Sequence, residues 1–190
     1  METSHLRREN YKLRLKEGPP SQMLGDSASF RNMLTQLDKV TKSNGRVMLK
    51  GESGSGKEMA ARYIHAQSDR ASAPFIVVNC AAIEPERMED VLFGREGSEA
   101  ISAGLLEQAN GGVIYFDEVA DMPMATQSKI LRVLVDQQFR RTGGAENVKV
   151  DLRVVSSTSQ DLDVAIAERT FREELYHLSL IHISEPTRRG

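Results

Sequence analysis

The sequence is poor in the features typical of secreted and membrane proteins. Its 190 residues contain one cysteine, Cys80, so no disulfide can form within the chain. No apolar run approaches the roughly 20 residues that a membrane-spanning helix needs. The charged start of the chain, residues 1–16, lacks the apolar stretch of a secretory signal. These absences exclude a disulfide-rich secreted protein, and we expect a soluble, cytoplasmic protein with no membrane partner.

An excess of charge of one sign is also missing. Lysine and arginine total 25 against 27 for aspartate and glutamate, which gives a formal net charge of −2. A balanced chain offers no general attraction to nucleic acid, so any contact with DNA would need a local basic patch. With 39% hydrophobic residues, the chain is long enough for one domain with a hydrophobic core.

A break in the pattern separates the first 20 residues from the rest. Gly18, Pro19 and Pro20 disfavour a helix at this point. We therefore expect residues 1–20 to be a linker from an upstream domain. Two leucines in it stand at coiled-coil spacing, but so short a helix is marginal in water. A solvated linker helix and a dimerising zipper both stay open.

From residue 21 onward, short apolar runs alternate with helix-like stretches. The apolar runs lie at 46–50, 75–79, 113–116 and 152–157. The stretch 57–67 has apolar residues at helical spacing. Strands that alternate with helices predict an α/β fold, in which a parallel sheet is covered by helices on both faces.

A glycine-rich loop follows the first of these apolar runs. Its residues are Gly51, Glu52, Ser53, Gly54, Ser55, Gly56 and Lys57. This run fits the phosphate-loop pattern G-x-x-x-x-G-K, in which glycines let backbone amides turn toward phosphates and the lysine reaches the outer phosphates. The next residue, Glu58, departs from the general pattern, which has Ser or Thr there to hold magnesium.

Two acidic residues end another apolar run. Asp117 and Glu118 follow residues 113–116, and strand ends of open α/β sheets face the crevice that binds ligands. In a nucleotide hydrolase the first acid would hold Mg²⁺ and the second would activate the attacking water. The alternative is that both acids only begin a solvated loop. Asn79 ends the run 75–79 and would lie at the same edge of the sheet, where its amide could bond Glu118 or simply satisfy loop backbone.

Six strings carry a further signal. They are GESGSGKE at 51–58, FIVVNCAA at 75–82, LFG at 92–94, GGVIYFDE at 111–118, QSKILRVL at 127–134 and FREELY at 171–176. Together they resemble the central AAA+ domain of bacterial sigma-54-dependent transcription activators, and Glu58 is the residue which that family usually carries after its lysine. The resemblance covers residues 21–177. It implies an ATPase that assembles as a homo-oligomeric ring and remodels RNA polymerase holoenzyme.

The resemblance implies a nucleotide site built from matching residues. Residues 51–58 would bind the phosphates of ATP. Leu24 and Gly25 would line the adenine pocket, and Asp117 would serve Mg²⁺.

It also implies catalytic roles for three residues. Glu118 would activate water, and Asn79 would be a switch that pairs with this glutamate. Arg172 would be an arginine finger that reaches the nucleotide of a neighbouring subunit, where a guanidinium can stabilise charge on the transferred phosphoryl group. Thr158 stands where the family has its first sensor, with Ser159 in place of the usual asparagine.

One departure from the family lies between residues 94 and 106. Family members usually carry a loop there that reads G-A-F-T-G-A and touches the sigma factor, and here the loop is shorter and lacks this string. This puts contact with the sigma-54 holoenzyme in doubt and resembles nitrogen-regulation response regulators of the NtrX type. Such regulators have an upstream receiver domain and a downstream DNA-binding domain, neither of which lies in this chain. The alternative function is a nucleotide-gated oligomerisation and DNA-regulatory module that does not remodel polymerase.

A second departure is the segment 178–190, which resembles the translation of a transposase adaptor used in sequencing libraries. We therefore expect the native core to be truncated at residue 177 and the helical lid subdomain to be missing. A natural β-strand in this segment is the alternative. A core without its lid is expected to bind nucleotide weakly and to hydrolyse almost none.

Overall fold

The computed structural model describes residues 27–52, 56–178 and 181–184, with side chains from residue 31 onward. The predicted linker 1–20 and the predicted adenine-pocket residues Leu24 and Gly25 lie outside the described residues. So do Ser53, Gly54 and Ser55 of the glycine-rich loop.

The described chain alternates strands and helices over most of its length. In chain order the elements are α1 (Ser27–Val40), β1 (Val47–Lys50), α2 (Gly56–Gln67), β2 (Phe75–Asn79), α3 (Pro85–Phe93), β3 (Arg95–Glu96), β4 (Ile101–Ser102), α4 (Leu105–Gln108), β5 (Val113–Asp117), a single 3₁₀ turn (Val119–Asp121), α5 (Met124–Asp136), β6 (Gln138–Arg140), β7 (Asn147–Lys149), β8 (Arg153–Thr158), α6 (Leu162–Ala167), α7 (Glu173–Leu178) and β9 (Ile181–Ser184).

Five of these strands form one parallel sheet in the order β2-β5-β8-β1-β9. The register places Asn79 of β2 opposite Asp117 of β5, and Lys50 of β1 opposite Thr158 of β8. Because all of these pairings are parallel, the carboxyl ends of the strands meet at one edge of the sheet. Loops that follow β1, β2, β5 and β8 are thereby brought together.

Helices cover both faces of the sheet. On one face, Leu37 of α1 and Ile64 of α2 pack with sheet residues such as Val155. On the other face, Leu92 of α3 and Ile130 of α5 pack in a second cluster that also contains strand residues. A side chain such as Ile64, which is fully buried, contributes roughly 1.5–3 kcal/mol by leaving water. The predicted α/β fold with helices on both faces of a parallel sheet is confirmed.

The central strands are buried along nearly their whole length because both of their faces are covered. The six residues of β8 are all buried, and so are the first four of β5. A strand with one solvated face would alternate between apolar and polar residues instead. This is why the continuously apolar run 113–116 stands out in the sequence.

Residues 181–184 form β9, an edge strand of the five-stranded sheet. They pair in parallel with β1, with Val47 opposite Ile181, and Ile183 is 3% exposed. The folded core therefore extends beyond residue 177, as in the β-strand alternative for this segment. The adaptor origin of residues 178–190 stays a prediction.

Two short antiparallel hairpins, β3–β4 and β6–β7, extend from the sheet. The first lies between residues 94 and 106, where the sequence predicts a shortened loop, and a bridge between Arg95 and Thr142 joins it to the segment that follows β6. Arg141, which follows β6, also lies 3.8 Å from Glu96 of β3, and its guanidinium donates to both carboxylate oxygens of Glu107 in α4 at 2.7 and 3.0 Å. The β3–β4 hairpin is therefore held against the segment that follows β6 by an ion pair and by backbone bonds.

Gly94 makes this hairpin possible. Its φ of 78° is in the left-handed region, and a Cβ there would lie 2.3 Å from the Ser102 carbonyl oxygen. Any other residue would clash with the backbone of the returning strand. None of the helices in the described ranges is long and apolar enough to cross a membrane.

Candidate functional site

The glycine-rich loop begins at the carboxyl edge of the sheet, beside the end of β8. The backbone N–H of Gly51 donates to the carbonyl of Thr158 at 3.2 Å, which continues the pairing of β1 with β8 by one residue. The loop then leads into α2, whose 12 residues begin at Gly56. The partial positive charge of a helix N-terminus thus faces the end of the loop, as phosphate binding requires.

Lys57 lies in the first turn of α2 and is only 4% exposed. Its Nζ donates to the carbonyl of Gly51 at 2.9 Å and to the carbonyl of Glu52. Within the described part of the chain, no carboxylate lies at ion-pair distance from this ammonium. A buried cation bound only to backbone carbonyls lacks a charge partner, and a phosphate anion would supply one.

Glu58 follows Lys57 and turns toward its own helix. Its Oε2 lies 3.8 Å from Nε of Arg62, one turn further along α2. A carboxylate in the first turn interacts favourably with the helix dipole. Glu58 therefore fits the helix start electrostatically, although it cannot act as the hydroxyl ligand of the general pattern.

Asp117 ends β5 and is partly buried. Its Oδ1 accepts a hydrogen bond of 3.0 Å from Oγ of Ser157, a fully buried residue of β8. Among the described residues, no group of three or more His, Cys, Asp or Glu side chains could hold a metal. A Mg²⁺ ion bound with nucleotide needs only one or two carboxylates besides phosphate and water, so Asp117 alone fits this type of site.

Glu118 has an unusual backbone conformation. Its φ and ψ are both 56°, in the left-handed region, which costs a non-glycine residue about 1–2 kcal/mol. Its N–H donates to Oγ of Ser157 at 3.3 Å, and its Oε2 accepts from the N–H of Ser159 at 3.2 Å. The backbone N–H of Glu118 is therefore hydrogen-bonded to β8, and its carboxylate is hydrogen-bonded to the residue that follows β8.

Asn79 lies opposite Asp117 in the register of the sheet, and its side chain is exposed. In the described ranges its amide makes no hydrogen bond with Glu118, whose carboxylate bonds Ser159 instead. The structure thus brings Asn79 to the predicted edge of the sheet. The switch pairing with Glu118 stays a prediction.

The cysteine beneath this edge is a core residue. Cys80 is 2% exposed, and its N–H donates to the carbonyl of Asp117 at 3.0 Å. Burial, and then the charge of Asp117, raise the pKa of the Cys80 thiol to about 12. It is therefore unsuited to act as a nucleophile near neutral pH.

Arg172 lies apart from these residues. Its N–H donates to Oε1 of Gln127 at 2.9 Å, and its Nε donates to the carbonyl of Met124 at 3.1 Å. The described part of the chain shows no polar contact of Arg172 with the glycine-rich loop or with the acids at the end of β5. The structure does not bring Arg172 together with the other predicted site residues of its own chain.

Two buried polar residues at the site were not predicted. Ser157 contacts both acids, and Tyr115 of β5 donates from Oη to Oγ of Ser157 at 2.8 Å. Burial raises the pKa of Tyr115, so its hydroxyl stays protonated. The available signals were a tyrosine within the apolar run 113–116 and a serine at the end of the run 152–157.

Comparison with known proteins agrees with this geometry. The family described as Sigma-54 interaction domain matches residues 23–184. The nitrogen assimilation regulatory protein NtrX of Azorhizobium caulinodans is 48% identical over 189 residues, covering 98% of this chain and 41% of the relative. The DNA-binding transcriptional regulator NtrC of Escherichia coli K12 is 41% identical over 175 residues, covering 89% of this chain and 37% of the relative.

Solved structures give the same result. NtrX from Brucella abortus in complex with ATP superposes with a TM-score of 0.82 at 52% identity, covering 97% of this chain and 42% of that chain. The P-loop NTPase domain of the Sigma-54 transport activator from E. coli has a TM-score of 0.59 at 17% identity, over 86% of this chain and 98% of that domain, and supports the fold alone. This chain spans 41% of the length of its NtrX relative. The chain has the AAA+ type of P-loop NTPase fold. Because the family match spans residues 23–184, the chain belongs to the Sigma-54 interaction domain family.

Proposed function

We propose that this chain is the ATP-binding and ATP-hydrolysing core of an NtrX-type transcriptional response regulator. The observation that carries this proposal is the buried Lys57 ammonium, held by backbone carbonyls at the start of α2. It lies in the loop joined to β8, the strand whose Ser157 contacts both Asp117 and Glu118. The Brucella abortus relative has been solved with ATP and with ADP, which supports a nucleotide as the ligand.

The site residues divide the chemistry between them. Lys57 and the backbone amides at the start of α2 would bind the phosphates of ATP. Asp117 would hold Mg²⁺, which supplies charge neutralisation at the phosphates when bound. Glu118 would orient the attacking water and accept its proton, because it directly follows Asp117 at the end of β5. Asn79 would act as a switch, because its amide could pair with the Glu118 carboxylate or release it.

Arg172 would act on the nucleotide of a neighbouring copy in a homo-oligomeric ring. Its contacts with Gln127 and Met124 fix it to α5 of its own chain, away from its own acids. A fixed arginine of this kind can stabilise charge on a phosphoryl group that another subunit presents. We therefore expect little turnover from separated copies.

The partners of the whole regulator follow from the family. We propose RNA polymerase sigma-54 holoenzyme as the protein that the ring acts on, with the short β3–β4 hairpin in place of the usual contact loop. Its small size is the reason to test this contact directly. DNA binding is assigned to a part of the regulator outside this chain, as the name of the NtrC relative suggests. Work at promoters implies a cytoplasmic location.

A nucleotide-gated module that does not remodel polymerase is the less favoured alternative. The short hairpin is compatible with it. The family match and the pair Asp117 and Glu118 favour the ATPase, because a protein that only binds nucleotide has no use for a water-activating acid.

The proposal is tested by measuring ATP affinity of the full chain by calorimetry with Mg²⁺ present. Lys57→Ala is expected to weaken binding by about a hundredfold, the effect of removing a charged hydrogen-bond partner. Lys42→Ala, at an exposed position beyond α1, is the matched control and should bind like the unaltered chain. Equal ATP affinity in the Lys57→Ala protein and the unaltered chain would contradict the proposal.

A further inference from the structure

The hydroxyl of Ser157 joins three groups at the end of β5. Its Oγ accepts from Oη of Tyr115 at 2.8 Å and from the N–H of Glu118 at 3.3 Å. It donates to Oδ1 of Asp117 at 3.0 Å. Ser157 has no exposed surface, so no water competes for these bonds.

The directions of these bonds are determined by chemistry. A serine hydroxyl has one proton to donate and two lone pairs to accept with. The Glu118 N–H can only donate, and the ionised Asp117 carboxylate can only accept. The buried Tyr115 hydroxyl fills the remaining lone pair. All three capacities of Ser157 are therefore used, and its hydroxyl has no alternative orientation that keeps these bonds.

The link extends the sheet beyond its backbone pairing. The last paired residues of β5 and β8 are Phe116 and Ser156. The next residues, Asp117 and Ser157, are joined through side chains instead. Ser157 itself lies opposite Leu49 of β1, so it is placed by a strand with neighbours on both sides.

We propose that Ser157 is a positioning residue that fixes the Asp117 carboxylate and the left-handed backbone of Glu118 for Mg²⁺-dependent nucleotide binding. This inference rests on the proposed ATP and Mg²⁺ site. Ser157 does not touch the nucleotide in this role. It acts by donating a hydrogen bond to one oxygen of Asp117, and this bond fixes the orientation of the carboxylate before any metal binds.

The bond made by the neighbouring residue Thr158 has only a local structural role, unlike the bonds of Ser157. Thr158 Oγ1 accepts from the N–H of Gln160, two residues along the same chain segment. Such short-range bonds stabilise turns. Ser157 instead bonds residues about 40 positions away in sequence, two of them acids of the site.

The experiment compares variants of the full chain by ATP affinity over a Mg²⁺ titration, together with the unfolding temperature. The ratio of ATP affinities at saturating Mg²⁺ and in EDTA is the readout. Ser157→Ala is expected to reduce this ratio about tenfold. It should also lower the unfolding temperature, because the buried Tyr115 hydroxyl is left without a partner.

Two further variants separate positioning from stability. In the double variant Tyr115→Phe with Ser157→Ala, the orphaned hydroxyl is gone, so the unfolding temperature should recover. The Mg²⁺ ratio should stay low because Asp117 is still unsupported. Ser156→Ala is the matched control on the same strand, buried and without a described side-chain hydrogen bond, and it should keep the ratio of the unaltered chain.

The possible results are distinct. A Mg²⁺ ratio in Ser157→Ala equal to that of the unaltered chain would overturn the positioning role, and so would recovery of the ratio in the double variant. In both cases, loss of ATP binding in Lys57→Ala would leave the proposed function standing. If Lys57→Ala binds ATP like the unaltered chain, the proposed function fails and the role of Ser157 fails with it.

Discussion

Gln127 holds the backbone of Arg172 through a hydrogen bond of 2.9 Å from the Arg172 N–H to its Oε1. The Gln127 side chain is fully buried, and its Nε2 donates to the carbonyls of Met122 and Thr170 at 2.7 and 3.0 Å. This one amide therefore connects the start of α5 with the segment that carries the proposed arginine finger. The position of Arg172 depends on it.

Gln127→Ala should destabilise the chain by about 3 kcal/mol, since three hydrogen bonds of about 1 kcal/mol each are lost inside the protein. Urea unfolding followed by circular dichroism measures this change. The matched control is Gln160→Ala, because Gln160 is an exposed glutamine whose side chain donates from Nε2 to Oδ1 of Asp121 at 3.0 Å. The control should change stability by less than about 0.5 kcal/mol. Similar losses in both variants would show that the buried bonds contribute little.

Glu118→Gly should be more stable than Glu118→Ala by about 0.5 kcal/mol. The left-handed backbone costs alanine about 1–2 kcal/mol relative to glycine. The greater conformational freedom of glycine in the unfolded chain offsets about 0.4–1 kcal/mol of this advantage. Both variants lose the carboxylate equally, so the comparison isolates the backbone. Thermal or urea unfolding provides the measurement.

The same pair of substitutions at Arg132 gives the control for Glu118. Arg132 is exposed in the middle of α5, where glycine should be less stable than alanine by about 1 kcal/mol. The sign of the glycine effect should therefore be opposite at the two positions. The same sign at both would mean that residue 118 does not adopt the left-handed conformation in solution.

Protonation of His65 should destabilise the fold below neutral pH. Its Nε2 lies 2.8 Å from the carbonyl of Ala73 and its ring packs against Phe75, and burial lowers the pKa of His65 from 6.5. The unfolded chain then takes up a proton at a higher pH than the folded chain does. The stability that His65 contributes is present above about pH 6.5 and is lost as the pH falls through the folded pKa.

The measurement is the unfolding temperature at about pH 7.5 and about pH 5.5. His65→Gln should show a smaller decrease than the unaltered chain, because the carboxylates contribute equally to both proteins. His177→Gln is the control, since His177 is exposed on α7, with its Nε2 3.3 Å from a carboxylate oxygen of the surface residue Glu173. An equal decrease in His65→Gln and the unaltered chain would refute this role.

The main strands of the site could be predicted from the sequence because apolar residues cluster in them. The runs 113–116 and 152–157 correspond to β5 and β8, which lie at the centre of the sheet and are buried on both faces. The position of the glycine-rich loop between β1 and α2 could be predicted because its glycines and Lys57 stand at a characteristic spacing between an apolar run and a helix-like stretch. The family resemblance is confirmed by the match over residues 23–184.

Other features have no comparable sequence signal. The strands of the β3–β4 hairpin are two residues long, too short for any periodicity to show. The bond between Ser157 and Asp117 depends on strand register, which pairs residues far apart in the chain. The left-handed backbone of Glu118 also leaves no trace in the sequence, because it is imposed by these tertiary contacts.

The position of β9 has a consequence for β1. With β9 in place, the backbone of Val47–Lys50 is paired on both sides, by β8 and by residues 181–184. Loss of this outer strand would leave a row of N–H and C=O groups open beside the glycine-rich loop. Such a row is a template on which another chain can add a strand, so a form without residues 181–184 would tend to self-associate through β1.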